Sequence, residues 1–552
     1  MTIAQSARDA SRLAKIASVF VKYGFGNLIE GAKLHTYLPF VPRRRFSQKL
    51  LDFKRSQAER LKNCFEELGP TFIKLGQLLS LRPDLIPEEY CNEFRKLQDQ
   101  VKGFDFKIAK RIIEEELKIN TDEVFKEIKE TLIASASIGQ VHEAFLRNGE
   151  RVVIKVQRQH IESVIRDDID IMYHVAAVLE GHKEEFKELN LTNIVKEFER
   201  YTKEEMDYTI EARHISRFGR HFAGDFTVAV PKVYWDYTTK KVLVMSYLDG
   251  VKINDLKNST KAIDKTKFAQ TLAKSYFKQV FRHGFFHADP HPANILAIKS
   301  DRVGFLDFGI IGSLDEYRRG VLQDLFIALV RKDMENIVNG FVDLGVISKN
   351  IDNDKFKQDL SDYLGEYYDK TMEEINPGRL YQNVLRLAIR NKANVPRDLV
   401  LLSKAFVTAE GLGRTLDPSF NFTQVVKPYI EELAHERSSP IRMFKEGVKD
   451  LLRMKKDLSK VPRLAVDVLE RIKEQDFVVK HDHEDVRELE REVGRSTNKI
   501  ILGLLIAALI IGSSWVLSSG KSDIVGWSGF LMAGVLILVL IYSVVREKKV
   551  LI

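Results

Sequence analysis

The chain has 552 residues, 44% apolar and 30% charged, which excludes a disordered or low-complexity polymer and suffices for two lobes with appendages. Its formal net charge of +8 fits lysine-rich solvated helices or attraction to anionic lipid headgroups, and no basic-plus-aromatic motif points to nucleic acid. Cys64 and Cys91 are the only cysteines and lack C-x-x-C spacing, which excludes a disulfide framework and suits a reducing cytosolic compartment.

Residues 1–60 are basic, with the cluster Arg43-Arg44-Arg45, and read as an N-terminal arm: a surface helix or a loose segment. The apolar stretch Ile16–Ile29 is interrupted by Lys22 and lacks a cleavage site, so it is not a secretory signal. Residues 61–125 read as a helical extension broken at Pro70, Pro83 and Pro87. Residues 126–250 read as a β-rich lobe. In it Val141–Arg147 and Arg151–Gln157 flank Asn148-Gly149, a two-residue hairpin signal whose turn positions both call for positive φ. One long charged helix is expected over Asn193–Phe218. A strand pair, Val228–Tyr234 and Lys241–Tyr247, follows around the turn Tyr237-Thr238-Thr239. Residues 251–435 read as a largely helical second lobe, and 436–498 as a charged helical linker.

Residues 499–546 differ from everything before them. Ile500–Ser519 and Ile524–Val545 carry no charge, and each spans roughly 30 Å of hydrocarbon at about 1.5 Å per helical residue. Gly520-Lys521-Ser522-Asp523 permits only a tight hairpin between them. Arg495 and Lys499 precede the pair, and Arg546, Lys548 and Lys549 follow it, so the positive-inside rule puts both flanks in the cytosol. Gly526, Gly529, Ala533 and Gly534 allow close helix–helix approach.

Phe286–Gly309 carries the chemistry. Asp289 and Asn294 are five apart, the spacing of the Asp and Asn in the kinase catalytic loop, and an aliphatic run leads to Asp307-Phe308-Gly309. Phosphoryl transfer needs magnesium ligands, a carboxylate near the nucleophile and a lysine on the phosphates. Lys155, in Val152-Val153-Ile154-Lys155, matches the strand lysine of kinases; alone it would be an ordinary surface lysine. Glu204, Glu205, Asp207 and Glu211 are candidate partners for it. On one helix Glu205 and Glu211 point roughly 120° apart, free to serve different cations. Where a glycine-rich loop belongs, the chain reads Ile133-Ala134-Ser135-Ala136-Ser137-Ile138-Gly139-Gln140-Val141. Alanine resists positive φ, but small side chains still let backbone N–H groups approach phosphate. No Ala-Pro-Glu follows Gly309, which removes the usual platform for a protein substrate. The rival reading, a metal site of His283, His287, His291 and Asp289, is opposed by Pro290 and Pro292, which break the helix that would align the histidines.

Upstream, Gly69-Pro70-Thr71-Phe72-Ile73-Lys74-Leu75-Gly76-Gln77 is followed by Ser80-Leu81-Arg82-Pro83-Asp84-Leu85-Ile86-Pro87. With the Ala-rich loop, Glu205-Met206-Asp207 and His287–Asn294, this resembles the UbiB/ADCK family of atypical kinases from about residue 60 to the end. The resemblance implies an α+β, protein-kinase-like two-lobed fold with a helical N-terminal extension and a C-terminal two-helix transmembrane hairpin. It implies that Lys74 and Gln77, beside Gly76, enter the site, Lys74 meeting Glu205 while Glu211 serves Lys155. It implies ATP over Ile133–Val141 and Lys155, adenine at backbone groups near Ser246–Leu248, Asp289 as the catalytic acid/base, and Mg2+ at Asn294 and Asp307. The implied function is a membrane-anchored, ATP-dependent atypical kinase or ATPase supporting ubiquinone biosynthesis at the bacterial inner membrane, its catalytic lobes in the cytosol. Implied partners are membrane lipid, quinone precursors and quinone-biosynthesis enzymes, with homodimerisation through the transmembrane helices. A protein kinase acting on a protein partner and a catalytically silent nucleotide-binding scaffold are the alternatives.

Overall fold

Leu13, Ile16, Ala17 and Val19 recur at helical spacing and are buried, so the first helix, α1 (Ile3–Lys22), is docked rather than loose. Arg12 fixes it, its Nε 2.6 Å from Oδ1 of Asp168, a carboxylate only 1% exposed. The computed structural model describes residues 3–26, 56–80, 82, 85–97, 102–182, 187, 190–258, 263–331, 333–346, 353–365, 377–390, 395–437, 505–514, 527–528 and 530–536. The Arg43–Arg45 cluster lies outside them.

The extension continues as α2 (Gln57–Leu68), α3 (Pro70–Ser80), α4 (Glu88–Phe94) and α5 (Phe106–Leu117). Ser56 Oγ accepts from Glu59 N at the start of α2, Asp105 caps α5, and Pro70 occupies the first turn of α3, where its missing N–H has no helical partner.

The first lobe is built on β1 (Phe125–Ser135), β2 (Gly139–Leu146) and β3 (Arg151–Gln157). The β2–β3 turn differs from the expected two-residue form. Gly149 N donates to Leu146 O and Leu146 N to Glu150 O, and of the turn residues Gly149 alone has positive φ. That is a three-residue loop with glycine at the left-handed position, so Asn148 carries no strain. Helices α6 (Ile161–His182), α7 (Leu191–Glu205) and α8 (Tyr208–His221) follow. The single helix expected over Asn193–Phe218 is two helices, because Asp207 leaves the helix and its Oδ1 accepts from Thr209 N at 3.0 Å, capping α8. The expected 120° relation between Glu205 and Glu211 therefore does not describe them. The second expected strand pair is also reduced: β4 (Val228–Ala229) pairs elsewhere, and β5 (Val242–Ser246) meets a short bridge at Val233, opposite Met245, closed by Tyr234 N to Val244 O and Ser246 N to Lys232 O. The sheet runs β1-β2-β3-β5, antiparallel throughout. Val152, Ile154 and Val156 turn to a cluster with Ile112 and Ile113 of α5; by the two-residue period Lys155 turns the other way, into the cleft.

The second lobe holds β6 (Val251–Lys252), α9 (Lys265–Phe277), β7 (Phe285–His287), β8 (Ile295–Ile298), β9 (Arg302–Phe305) and β10 (Ile311–Ser313). They form a sheet β4-β9-β8-β6 and a pair β7–β10 that sets His287 opposite Ile311. Helices α10 (Glu316–Arg331), α11 (Met334–Asp343), α12 (Asn353–Gly365), α13 (Pro377–Arg390), α14 (Arg397–Leu416) and α15 (Phe422–Arg437) complete it. Leu399, Leu402, Ala405, Phe406 and Ala409 of α14 join a core with Phe277, Phe281 and Phe326.

These elements belong to a unit over Met1–Arg442; a second unit covers Met443–Ile552. In the second, the described residues are helical pieces over 505–514, 527–528 and 530–536, and among the described residues no helix is long and apolar enough to cross a membrane. Most of the two charge-free runs and nearly all of the 436–498 linker lie outside the described residues.

Candidate active site

Lys155 Nζ lies 2.8 Å from Glu211 Oε2. Glu211 faces inward because it shares the buried stripe of α8 with Ala212, Ile215 and Phe218. Burial alone would pull the Lys155 ammonium down, but Asp307 and then Glu211 outweigh it and raise it well above the ordinary lysine value. Burial pushes Glu211 up against the pull of Lys155. The Lys155 charge in turn holds Asp307 below its ordinary value, over the opposing effect of burial. Solvent reaches Asp307 through the cleft even though protein surrounds it closely.

Lys74 projects from α3 beneath the Ala-rich loop and is 4% exposed. It is ion-paired with Glu205 at the end of α7 and lies 3.4 Å from Ser137 Oγ. Gln77 follows one turn later on a similar face. Gly76 permits the packing: a Cβ there would come within 2.3 Å of Leu97 Cδ1. The third acidic residue, Asp207, is the helix cap already described rather than an ion-pair partner.

Around the loop, Ile133 is exposed, Ala134 pairs with Val141 and Ser135 with Gln140 in the β1–β2 ladder, and Ala136 N donates to Gly139 O at 2.8 Å. Val141 stands opposite Lys155 and shares its cleft face. Arg158 braces the loop through Ala136 O and Ser135 Oγ. One side chain in the expected ATP-binding stretch turns away from the cleft: Gln140 accepts from Phe104 N at 2.9 Å while its amide meets His142. Ile138 is buried in the main core. Among the backbone groups expected to take adenine, the donors Ser246 N and Tyr247 N are committed to Lys232 O and Arg151 O.

Asp289 follows β7. Asn294 Nδ2 donates to its Oδ2 at 3.1 Å, and Lys404 Nζ of α14 lies 2.7 Å from its Oδ1. His287 accepts from Asp289 N on Nδ1 at 3.3 Å and meets Leu306 O through Nε2 at 2.9 Å, which a neutral ring protonated on Nε2 satisfies. Burial, over weaker opposing contacts, lowers its pKa. His291 caps the next turn through Ala293 N, and His283 stacks on His221, so the three histidines serve different partners. Asp307 has φ +52, and its Oδ1 accepts from Gly309 N at 3.1 Å. Such strain in a non-glycine residue is typical of functional sites. Phe308 is buried on Phe218 of α8 and on His287, tying the Asp-Phe-Gly segment to both lobes.

Lys404 and Arg158 escaped sequence reasoning. The signal for Lys404 is a lone charge in the otherwise uncharged run from Leu399 to Val407. Arg397 and Tyr201 were missed as well; both line a cavity beside Gly309 that also carries Arg213 and His214.

The chain matches the family model described as the ABC1 atypical kinase-like domain over residues 96–341, the UbiB helical domain over 360–421, and the ABC1/UbiB kinase-like C-terminal domain over 484–546. It is 32% identical over 472 residues to an uncharacterized protein of Synechocystis sp., covering 85% of this chain and 81% of that one. It is 31% identical over 536 residues to the Marinobacter nauticus protein named "Probable protein kinase UbiB", covering 95% of this chain and 97% of that one. Among solved structures it is similar to Rv3197 of Mycobacterium tuberculosis, in complex with erythromycin, at 23% identity and TM-score 0.42 over 62% of this chain and 94% of that one.

Proposed function

The chain belongs to the ABC1/UbiB family of atypical kinase-like proteins, and from that premise we propose a Mg2+- and ATP-dependent kinase or ATPase that supports ubiquinone (isoprenoid quinone) biosynthesis. The observation that carries this reading is the convergence of Lys155 and Asp307 with the Asp289–Asn294 pair on one cleft.

Each residue has a chemical task there. Lys155 binds the α- and β-phosphates. The donor set fits magnesium, a hard cation that takes oxygen ligands: Asp307 offers a carboxylate, and Asn294 keeps Oδ1 as an acceptor when Nδ2 donates to Asp289. Bound there, Mg2+ would neutralise charge on the phosphoryl oxygens. Asp289 orients the acceptor hydroxyl or water and takes its proton as the new O–P bond forms, the bond to the β–γ bridging oxygen breaks and ADP leaves.

Water or a small acceptor suits this site better than a protein. Lys74 and α3 fill the side from which a polypeptide would approach, and the chain passes from Gly309 straight into β10 and α10 with no substrate platform. The printed name of the Marinobacter relative suggests a protein kinase for that protein; here the blocked approach argues against it. A silent scaffold would have no use for a full set of phosphate and metal ligands.

The same proposal places the chain at the bacterial inner membrane. Ile500–Ser519 and Ile524–Val545 would form a two-helix anchor with basic flanks in the cytosol, and the family's C-terminal model covers both runs. Gly526, Gly529, Ala533 and Gly534 would let two such hairpins pair. ATP turnover would then drive a shape change that brings lipid quinone precursors, or the enzymes acting on them, together at the surface.

Asp307→Asn tests the site. We expect it to abolish Mg2+-dependent ATP turnover in the full chain while leaving the unfolding midpoint and membrane association intact. Undiminished turnover would remove Asp307 from the mechanism and the assignment with it.

A further inference from the structure

The α14 lysine occupies an unusual place. Lys404 is flanked by buried Ser403 and Ala405, yet its ammonium reaches the carboxylate of Asp289, 115 residues earlier in the chain. Asn294 holds the other oxygen of that carboxylate. The pair is partly exposed, 33% and 30%, and such pairs contribute little stability. Its location gives it a different significance, because it sits on the group that must meet the acceptor.

The surroundings indicate what else the ammonium would meet. Arg397 and Lys404 are seven residues apart, close to the same face of α14, and Leu401 lies between them. Arg397 and Leu401 line a cavity with Ile310, just past the Asp-Phe-Gly segment, and with Tyr201, which feels the charges of Asp307 and Asp289; Lys404 on the same face reaches Asp289 itself. On the proposed nucleotide reading, Lys155 serves the α- and β-phosphates, and no other side chain assigned above neutralises the terminal one. A lysine is a compact charge on a flexible stem, able to follow a small movement of its anion. Cations placed against a transferring phosphoryl group stabilise charge where it develops.

We propose that Lys404 is the binding group for the terminal phosphate of a nucleoside triphosphate. Without nucleotide it pairs with Asp289; with triphosphate bound, the ammonium bridges the terminal phosphate and Asp289 and holds that carboxylate turned toward the acceptor. This rests on the ATP reading above.

The test uses the full chain and compares Mg–ATP with Mg–ADP affinity by calorimetry for the wild type, Lys404→Met and Lys404→Arg. One contact to the terminal phosphate corresponds to an expected loss of roughly tenfold in ATP affinity for Lys404→Met, with ADP affinity changed by less than about twofold. Lys404→Arg should retain most of the discrimination. Equal losses for ATP and ADP would reveal a structural role, and unchanged ATP affinity would remove Lys404 from the phosphate; either overturns the inference while leaving the ATP site in place. A wild type that binds no Mg–ATP would overturn the site reading and this inference together. Should Lys404→Met not fold, Lys404→Gln, which keeps a polar group against Asp289, is read in the same way.

Discussion

The ammonium of Lys155 lies 2.8 Å from Oε2 of Glu211, 56 residues away, with the two side chains 16% and 7% exposed. A buried ion pair adds little over an apolar replacement, but removing one partner strands the other charge. Glu211→Gln should therefore cost about 3 kcal/mol of stability, while Lys155→Met with Glu211→Gln together should cost less than the two singly. Both variants should lose at least about a hundredfold in ATP turnover. Urea unfolding of the double-mutant cycle checks the first part; additive losses would mean that the contact is incidental.

Lys74 is bound to Glu205 and close to Ser137, and in the function proposed above it fills the acceptor side of the cleft. Truncating it removes the block and leaves Glu205 without that cation. Lys74→Ala should cost about 1–3 kcal/mol and should let the chain take up labelled γ-phosphate. Lys74→Arg should stay silent. Label that persists after Asp289→Asn is added, or no label at all, would count against this lysine as the inhibitory group.

Gly76 sits where α3 crosses α2 and the segment after α4. A Cβ there would stand 2.3 Å from Leu97 Cδ1 and 3.0 Å from Phe65 Cδ2, and Phe65 is itself stacked on Phe94 at 5.1 Å. The Leu97 tip can move, but the stacked ring has little room. Gly76→Ala should thus cost about 1–2 kcal/mol despite the better helix propensity of alanine. A denaturation midpoint equal to the wild type's would show that the crossing has slack.

What could be read along the chain was what local spacing encodes. The five-residue step from Asp289 to Asn294 and the alternation that turns Lys155 away from Val152, Ile154 and Val156 are properties of short segments. The break between α7 and α8 was hidden because Glu204–Glu211 reads as one continuous helix rich in acidic residues; the competing hydrogen bond from Thr209 N to Asp207 decides it. The docking of α1 depends on Asp168, and the placement of Lys404 on a helix folded back over the catalytic loop. Contacts between residues so far apart in sequence leave no periodic trace. The Asn148-Gly149 hairpin is an intermediate case: the turn was legible, but not its length.

Acid should weaken the fold through its histidines. Burial, aided by His221, Lys278, Arg319 and Arg282, lowers the His283 pKa from 6.5 to about 4, and burial likewise lowers His142, His214, His221 and His287. In the unfolded chain these rings take up protons near pH 6.5, while in the folded chain each resists to a lower pH, His283 to about 4. Between those limits the unfolded state binds more protons, so stability is complete above about pH 6.5 and is lost as the pH falls toward about 4. The unfolding midpoint should drop between about pH 7 and about pH 5, and the slope should be shallower in His283→Phe, which keeps a ring stacked on His221 but cannot titrate. A slope identical to the wild type's would mean that His283 is protonated in the folded protein, and that its neighbours do not exclude the charge.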